Sequence, residues 1–221
     1  EALGIPGDLE TTPRTRRVVA AMACPEEPGY EPLDLDQEQA NLKEALSGLP
    51  NLELVPVVNA TMQALKEALE EGADIFHFAG HGSFKVTGQG ESFGSIEGEG
   101  ELALVTAEGA AARIPAAQLA VNLQGHGLQL AVLGACQTGR RDGQNVWSGT
   151  VAALGEAEIP AAVAMQYKIW DPVAVAFSQK FYRALATGAP IDAAVSAGRL
   201  AAFNLCHPLR EDPKRGKFWR D

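Results

Sequence analysis

The chain has 221 residues, 46% of them hydrophobic and 6% aromatic, which is enough for one sizeable core and short for two. With 28 acidic against 18 basic residues, its formal charge of −10 repels nucleic-acid phosphates and anionic membrane surfaces, so neither is expected as a direct partner. No apolar run approaches the roughly twenty residues that span a bilayer, charges interrupt the start where a secretion signal would be apolar, and Cys24, Cys136 and Cys206 are too few and scattered for a disulfide framework or a CxxC zinc site, which points to the cytoplasm.

Residues 1–15 read as a linker and 16–221 as one domain. The opening Glu1 suggests a segment of a longer polypeptide. Val18 to Ala23 is an apolar run closed by Cys24-Pro25, a first buried strand feeding a loop. From Leu35 to Leu49 apolar residues recur at helical spacing, and Leu52 to Val58 is a second strand rich in Val and Leu. Thr61 is placed to cap a helix running to Leu69, which Gly72 stops. Asp74 to Ala79 is a third strand, ending in Gly80-His81-Gly82. Residues 82–100, rich in Gly, Ser, Glu and Lys, read as a mobile loop, and Glu101–Val105 with Ala111–Ile114 as a small hairpin. Pro115 to Val121 suggests a short helix and Leu128 to Leu133 a fourth core strand, ending in Gly134-Ala135-Cys136. After a polar loop over 137–145, Ser148 is placed to cap a helix to Ala157, and Pro160–Gln166 makes the last core strand. Asp171-Pro172 begins a helix, and a final helix runs from Ile191 to Leu205. The β/α alternation with apolar strands predicts an α/β fold, a three-layer α/β/α sandwich around a mainly parallel sheet.

Ligands of such sheets gather at the carboxyl ends of the strands. His81 and Cys136 each follow a core strand, so neighbouring strands would bring an imidazole and a thiol to one rim. Their small neighbours Gly80, Gly82, Gly134 and Ala135 would let a peptide backbone approach. A thiolate attacking a carbonyl creates an oxyanion that needs backbone donors, for which the amides of Gly82 and Cys136 are the candidates. His81 would carry the proton, and no Asp or Asn is placed to orient it.

The run Asp74-Ile-Phe-His-Phe-Ala-Gly-His-Gly82, followed by Leu133-Gly-Ala-Cys-Gln-Thr-Gly139 and later by Val163 to Asp171, resembles the CHAT family of caspase-like cysteine peptidases of clan CD. The resemblance covers nearly the whole chain from the first strand. It implies a caspase-like fold, a His81/Cys136 dyad and an oxyanion donor at Gly82. It also implies an endopeptidase in bacterial antiviral defence or programmed cell death, with a protein substrate and a fused or associated sensor module. Gly134 stands where caspases have glutamine, and Thr138 separates Gln137 from Gly139, so caspase specificity for aspartate is not carried over. No cofactor or metal is expected.

Other residues invite plainer readings. Cys24 and Cys206 read as small buried hydrophobes. His77 reads as a core residue supporting the loop, and it and Asp171 are both candidates for substrate contact. Asp171 is equally a helix cap. Arg140 and Arg141 could meet an acidic substrate or simply be solvated. Glu97, Glu99 and Glu101 resemble a solvated loop more than a calcium site, His126 a turn residue and His207 a surface one. A catalytically inactive binding module of the same fold is the alternative to the peptidase, and a thiol-dependent acyl transferase or amidase a third possibility.

Overall fold

The computed structural model describes residues 15–49, 51–89, 96–137, 146–165 and 171–210. Strand β1 (Arg16–Met22) leads to helix α1 (Leu35–Leu46), whose first turn is capped where the Gln37 amide donates to Asp34 Oδ1 at 2.9 Å. Strand β2 (Leu52–Val58) and helix α2 (Met62–Leu69) follow, and Thr61 caps α2 as expected, its Oγ1 accepting from the Ala64 amide at 3.1 Å. Then come β3 (Ile75–Gln89), β4 (Ile96–Val105), β5 (Ala111–Pro115), α3 (Ala116–Leu123), β6 (Leu130–Gln137), α4 (Val146–Glu156), β7 (Ala162–Ala164), α5 (Asp171–Ala186) and α6 (Ile191–Arg210).

The sheet is mainly parallel. β2, β1, β3, β6 and β7 are parallel neighbours in that order, and β4 and β5 extend β3 as an antiparallel arm. Pro56 sits in β2, an edge strand, where a missing N–H costs no ladder bond. Alternate residues divide between two cores, as the period-two geometry of strands requires. Val18, Ala20, Met22, Ile75, Ala79, Leu130 and Val132 pack with Leu42 and Leu46 of α1 and Phe181, Tyr182 and Leu185 of α5. Val19, Ala21, Phe76, Phe78, Ala131 and Leu133 pack with Leu65 and Leu69 of α2, Leu119 and Leu123 of α3 and Leu154 of α4. The three-layer α/β/α sandwich is thus realised.

Several elements differ from the sequence expectation. The third strand does not end in Gly80-His81-Gly82. It runs on to Gln89, and its second half pairs antiparallel with β4 from His81↔Ala103 to Gln89↔Ile96, with an irregularity between Val86 and Gly88. The segment read as a mobile loop is strand on both described sides, because its polar backbone groups satisfy one another across a ladder. Two of the alternating glutamates have structural work in that arm. Glu99 Oε1 accepts from the Ala117 amide at 3.2 Å, serving the start of α3, whose N-cap is Pro115 without a side-chain cap. Glu101 is buried and faces Ser83 Oγ at 3.4 Å. Helix α4 begins at Val146, so Ser148 lies inside it rather than capping it, and α6 continues beyond Leu205 to Arg210. The loop carrying Arg140 and Arg141 lies outside the described residues.

His77 ties the sheet to α5. It is 5% exposed, its Nδ1 lies 2.6 Å from the Tyr182 hydroxyl, and burial pushes its pKa from 6.5 down to about 4. The same burial raises the Tyr182 phenol above its ordinary value. Because the folded-state pKa is depressed, the neutral imidazole's contribution is fully present above pH 6.5. It is lost as pH falls, since the unfolded chain takes up a proton that the native one refuses. Denaturant unfolding between pH 7 and 4 should show a loss on the order of 3 kcal/mol from this group. That loss should be missing in His77→Leu; an equal pH dependence in the variant would refute the assignment.

Candidate active site

β3 is the strand on which the site is built. Up to Ala79 it has β1 on one side and β6 on the other, and from His81 onward β4 replaces β1. β3 and β6 are paired in parallel from Ile75↔Leu130 to Gly82↔Gln137, and within that register His81 stands directly opposite Cys136. Strand neighbours lie about 4.8 Å apart, and matched positions of a parallel pair share a face of the sheet. The two residues are therefore at adjacent positions on the face that carries α1, α5 and α6. Gly82 is buried between Leu102 of β4 and Gln137 of β6.

The imidazole itself is 3% exposed. Its cover is the segment between β1 and α1. Tyr30 meets the His81 ring edge-on, with centroids 5.3 Å apart and planes at 61°. The Sγ of Cys24, just past β1, lies 3.9 Å from His81 Nε2. This cover is pinned to the β4–β5 hairpin at three points. The Glu26 amide donates to the Gly109 carbonyl at 3.2 Å, the Ala111 amide to Glu27 Oε1 at 2.9 Å, and Arg113 Nε to the Tyr30 hydroxyl at 3.3 Å. The hydrogen bond to Tyr30 and the negative charges of Glu101 and Glu27 hold the Arg113 pKa above its ordinary value.

Of the residues singled out from sequence, His81, Cys136 and Gly82 come together on β3 and β6. His77 shares the His81 face but sits deeper, in the core beneath α5. Asp171 is the first residue of α5, and its side chain lies outside the described part, as does that of Cys136. His126 is in a turn between two glycines of positive φ, and its carbonyl accepts from the Ala73 amide. Two of the small residues have a reason that differs from the expected one. A Cβ on Gly80 would lie 2.7 Å from the Phe78 ring and 2.8 Å from the Ala23 carbonyl oxygen. A Cβ on Gly134 would meet the Phe78 carbonyl oxygen at 3.3 Å, with His77 Nε2 at 3.9 Å. These glycines make room for the protein's own core.

Sequence reasoning missed Cys24 and Tyr30. By sequence Cys24 is a small buried hydrophobe, yet it is half-buried and touches the candidate imidazole. The rule that drew attention to His81 and Cys136, a reactive side chain at the carboxyl end of a core strand, applies to it equally. Tyr30 gave no signal, because the path of a loop across a rim is not periodic. Among the described residues no group of three or more His, Cys, Asp or Glu could hold a metal, and no helix is long and apolar enough to cross a membrane.

The family model described as CHAT domain matches residues 7–219. Comparison with curated proteins gave no match.

Proposed function

Because this chain belongs to the CHAT domain family, a caspase-like family of clan CD, we propose that it is a regulated cysteine endopeptidase that cleaves a partner protein. The observation that carries this reading is the register of β3 and β6, which sets His81 opposite Cys136. Cys136, as thiolate, would attack the scissile carbonyl carbon, forming a C–S bond and moving the carbonyl electron pair onto oxygen. The amides of Gly82 and Cys136 would meet that oxyanion. As the tetrahedral intermediate collapses, the C–N bond breaks, His81 protonates the departing amine, and a thioester remains on Cys136. His81 would then take a proton from water, whose oxygen attacks the thioester and releases the acid and the free thiol.

The burial of His81 under Tyr30 supports regulation, because substrate reaches the imidazole only after the Tyr30 ring swings aside. A sensor module, fused or associated, would supply the signal. Bacterial antiviral defence or programmed cell death in the cytoplasm is the setting we propose, with Asp171 a candidate contact for the residue at the cleavage site. The same burial also favours a second reading, a binding module of this fold without turnover.

A peptide acyloxymethyl ketone, which traps a nucleophilic cysteine poised by a base, separates the two readings. The wild-type chain and Arg113→Ala, whose lost bond to Tyr30 loosens the cover, are both treated and mapped by mass spectrometry. Adduct on Cys136, enhanced by Arg113→Ala and missing in His81→Ala, is the peptidase result. Absence of adduct from both chains, with iodoacetamide still modifying Cys136, would establish the inactive module instead.

A further inference from the structure

The rim of the sheet holds two thiol-bearing positions around one imidazole. β1 and β6 flank β3 on opposite sides. Cys24, one residue beyond the Ala23 amide that donates to Ala79 of β3, therefore reaches His81 from the side opposite Cys136. Among the described residues its Sγ has three polar neighbours: the Leu33 amide donates to it at 3.2 Å, the Glu31 carbonyl oxygen lies 3.7 Å away, and His81 Nε2 lies 3.9 Å away.

A thiol carries a single hydrogen, and a carbonyl oxygen can only accept. With that hydrogen directed at Glu31, the sulfur meets the imidazole as an acceptor, so the proton of neutral His81 resides on Nε2 and the lone pair on Nδ1. Which ring nitrogen is basic is set by the partner of the other one. Tyr30, edge-on to the ring, restricts its rotation. From this arrangement we infer that Cys24 is a positioning residue: its sulfur fixes the tautomer and orientation of His81, leaving Nδ1 as the nitrogen that exchanges protons in the reaction. This place is filled by a carboxylate in Ser-His-Asp triads. A neutral sulfur orients the ring but adds little stabilisation to the imidazolium. Cys24 would thus supply the third group that the sequence, searched for Asp and Asn, did not offer.

The inference rests on the reading of His81 as proton carrier, so its test combines a readout without substrate and one with it. In the full chain labelled with 15N-histidine, long-range proton–nitrogen NMR should show neutral His81 protonated at Nε2. The Nε2 resonance should move, and its hydrogen exchange faster with solvent, in Cys24→Ala, while Cys24→Ser, whose hydroxyl also accepts, stays close to wild type. In peptide cleavage, Cys24→Ala should lower kcat by about tenfold or more with KM unchanged, and Cys24→Ser should recover most of it. A wild-type proton on Nδ1, or an Nε2 signal indifferent to Cys24→Ala, overturns the inference. Should Cys24→Ala not fold, the wild-type tautomer and the Cys24→Ser spectrum decide it. A chain that shows the expected spectra but cleaves nothing, even where Arg113→Ala loosens the cover, contradicts the peptidase reading and leaves the role of Cys24 in place.

Discussion

A Cys136→Ala chain is expected to cleave none of its partner protein while unfolding where the wild type does. In the proposed reaction the thiolate makes the only covalent bond to substrate, and removing such a nucleophile costs at least about 10⁴ in rate, because the remaining groups act only around it. Alanine leaves the β6 backbone able to keep its pairing with β3, from Ile75↔Leu130 to Gly82↔Gln137, so the fold has no reason to fail. His81→Ala should fall to a similar level, and the double variant little further, since the two act as a unit. Cleavage products quantified by mass spectrometry, beside thermal unfolding followed by circular dichroism, check both halves. Residual activity within tenfold of wild type in Cys136→Ala would remove the basis for the mechanism.

Gly80→Val should destabilise the fold by roughly 4 kcal/mol or more, beyond the usual range for one substitution. Even the first added carbon would stand 2.8 Å from a backbone oxygen, that of Ala23, and 2.7 Å from the ring of Phe78, which is fully buried. Neither can retreat easily. The Ala23 amide is bonded to Ala79, and Phe78 belongs to the core against α2, α3 and α4. Relief would have to come from β3 itself, one residue before His81, so whatever folded protein remains should also be a poorer enzyme. Urea unfolding gives the stability change, and a loss below about 1 kcal/mol would mean that the rim is softer than its packing implies.

How much of this was legible depended on whether the signal was periodic. Val18 to Met22 and Leu130 to Leu133 read as strands because they are apolar on both faces, as a sheet covered by helices demands, Leu52 to Val58 through its Val and Leu, and Thr61 announces its helix through a hydroxyl in the cap position. The β3–β4 arm was also written in the chain, in the alternation of Ser83, Lys85 and Thr87 with Phe84 and Val86, and in the spacing of Glu97, Glu99 and Glu101. Its glycines and charges made the stretch look like a loop. Composition there outweighed period, and period was the better guide. The sequence shows that Gly80 and Gly134 lack a Cβ, but a missing Cβ does not say which neighbour requires the space.

The sequence by itself determined the class of fold, the strands whose carboxyl ends carry a histidine and a cysteine, and the family. Each of these follows from local patterns that hold wherever the segment comes to lie. Only the tertiary structure decided that β3 and β6 are neighbours with His81 opposite Cys136, that Tyr30 lies over the imidazole, and that Cys24 reaches it from the other flank. Those facts depend on strand order and on the route of a loop across the sheet's rim. Both are set by how distant segments bury one another, and neither leaves a mark in the spacing of residues along the chain.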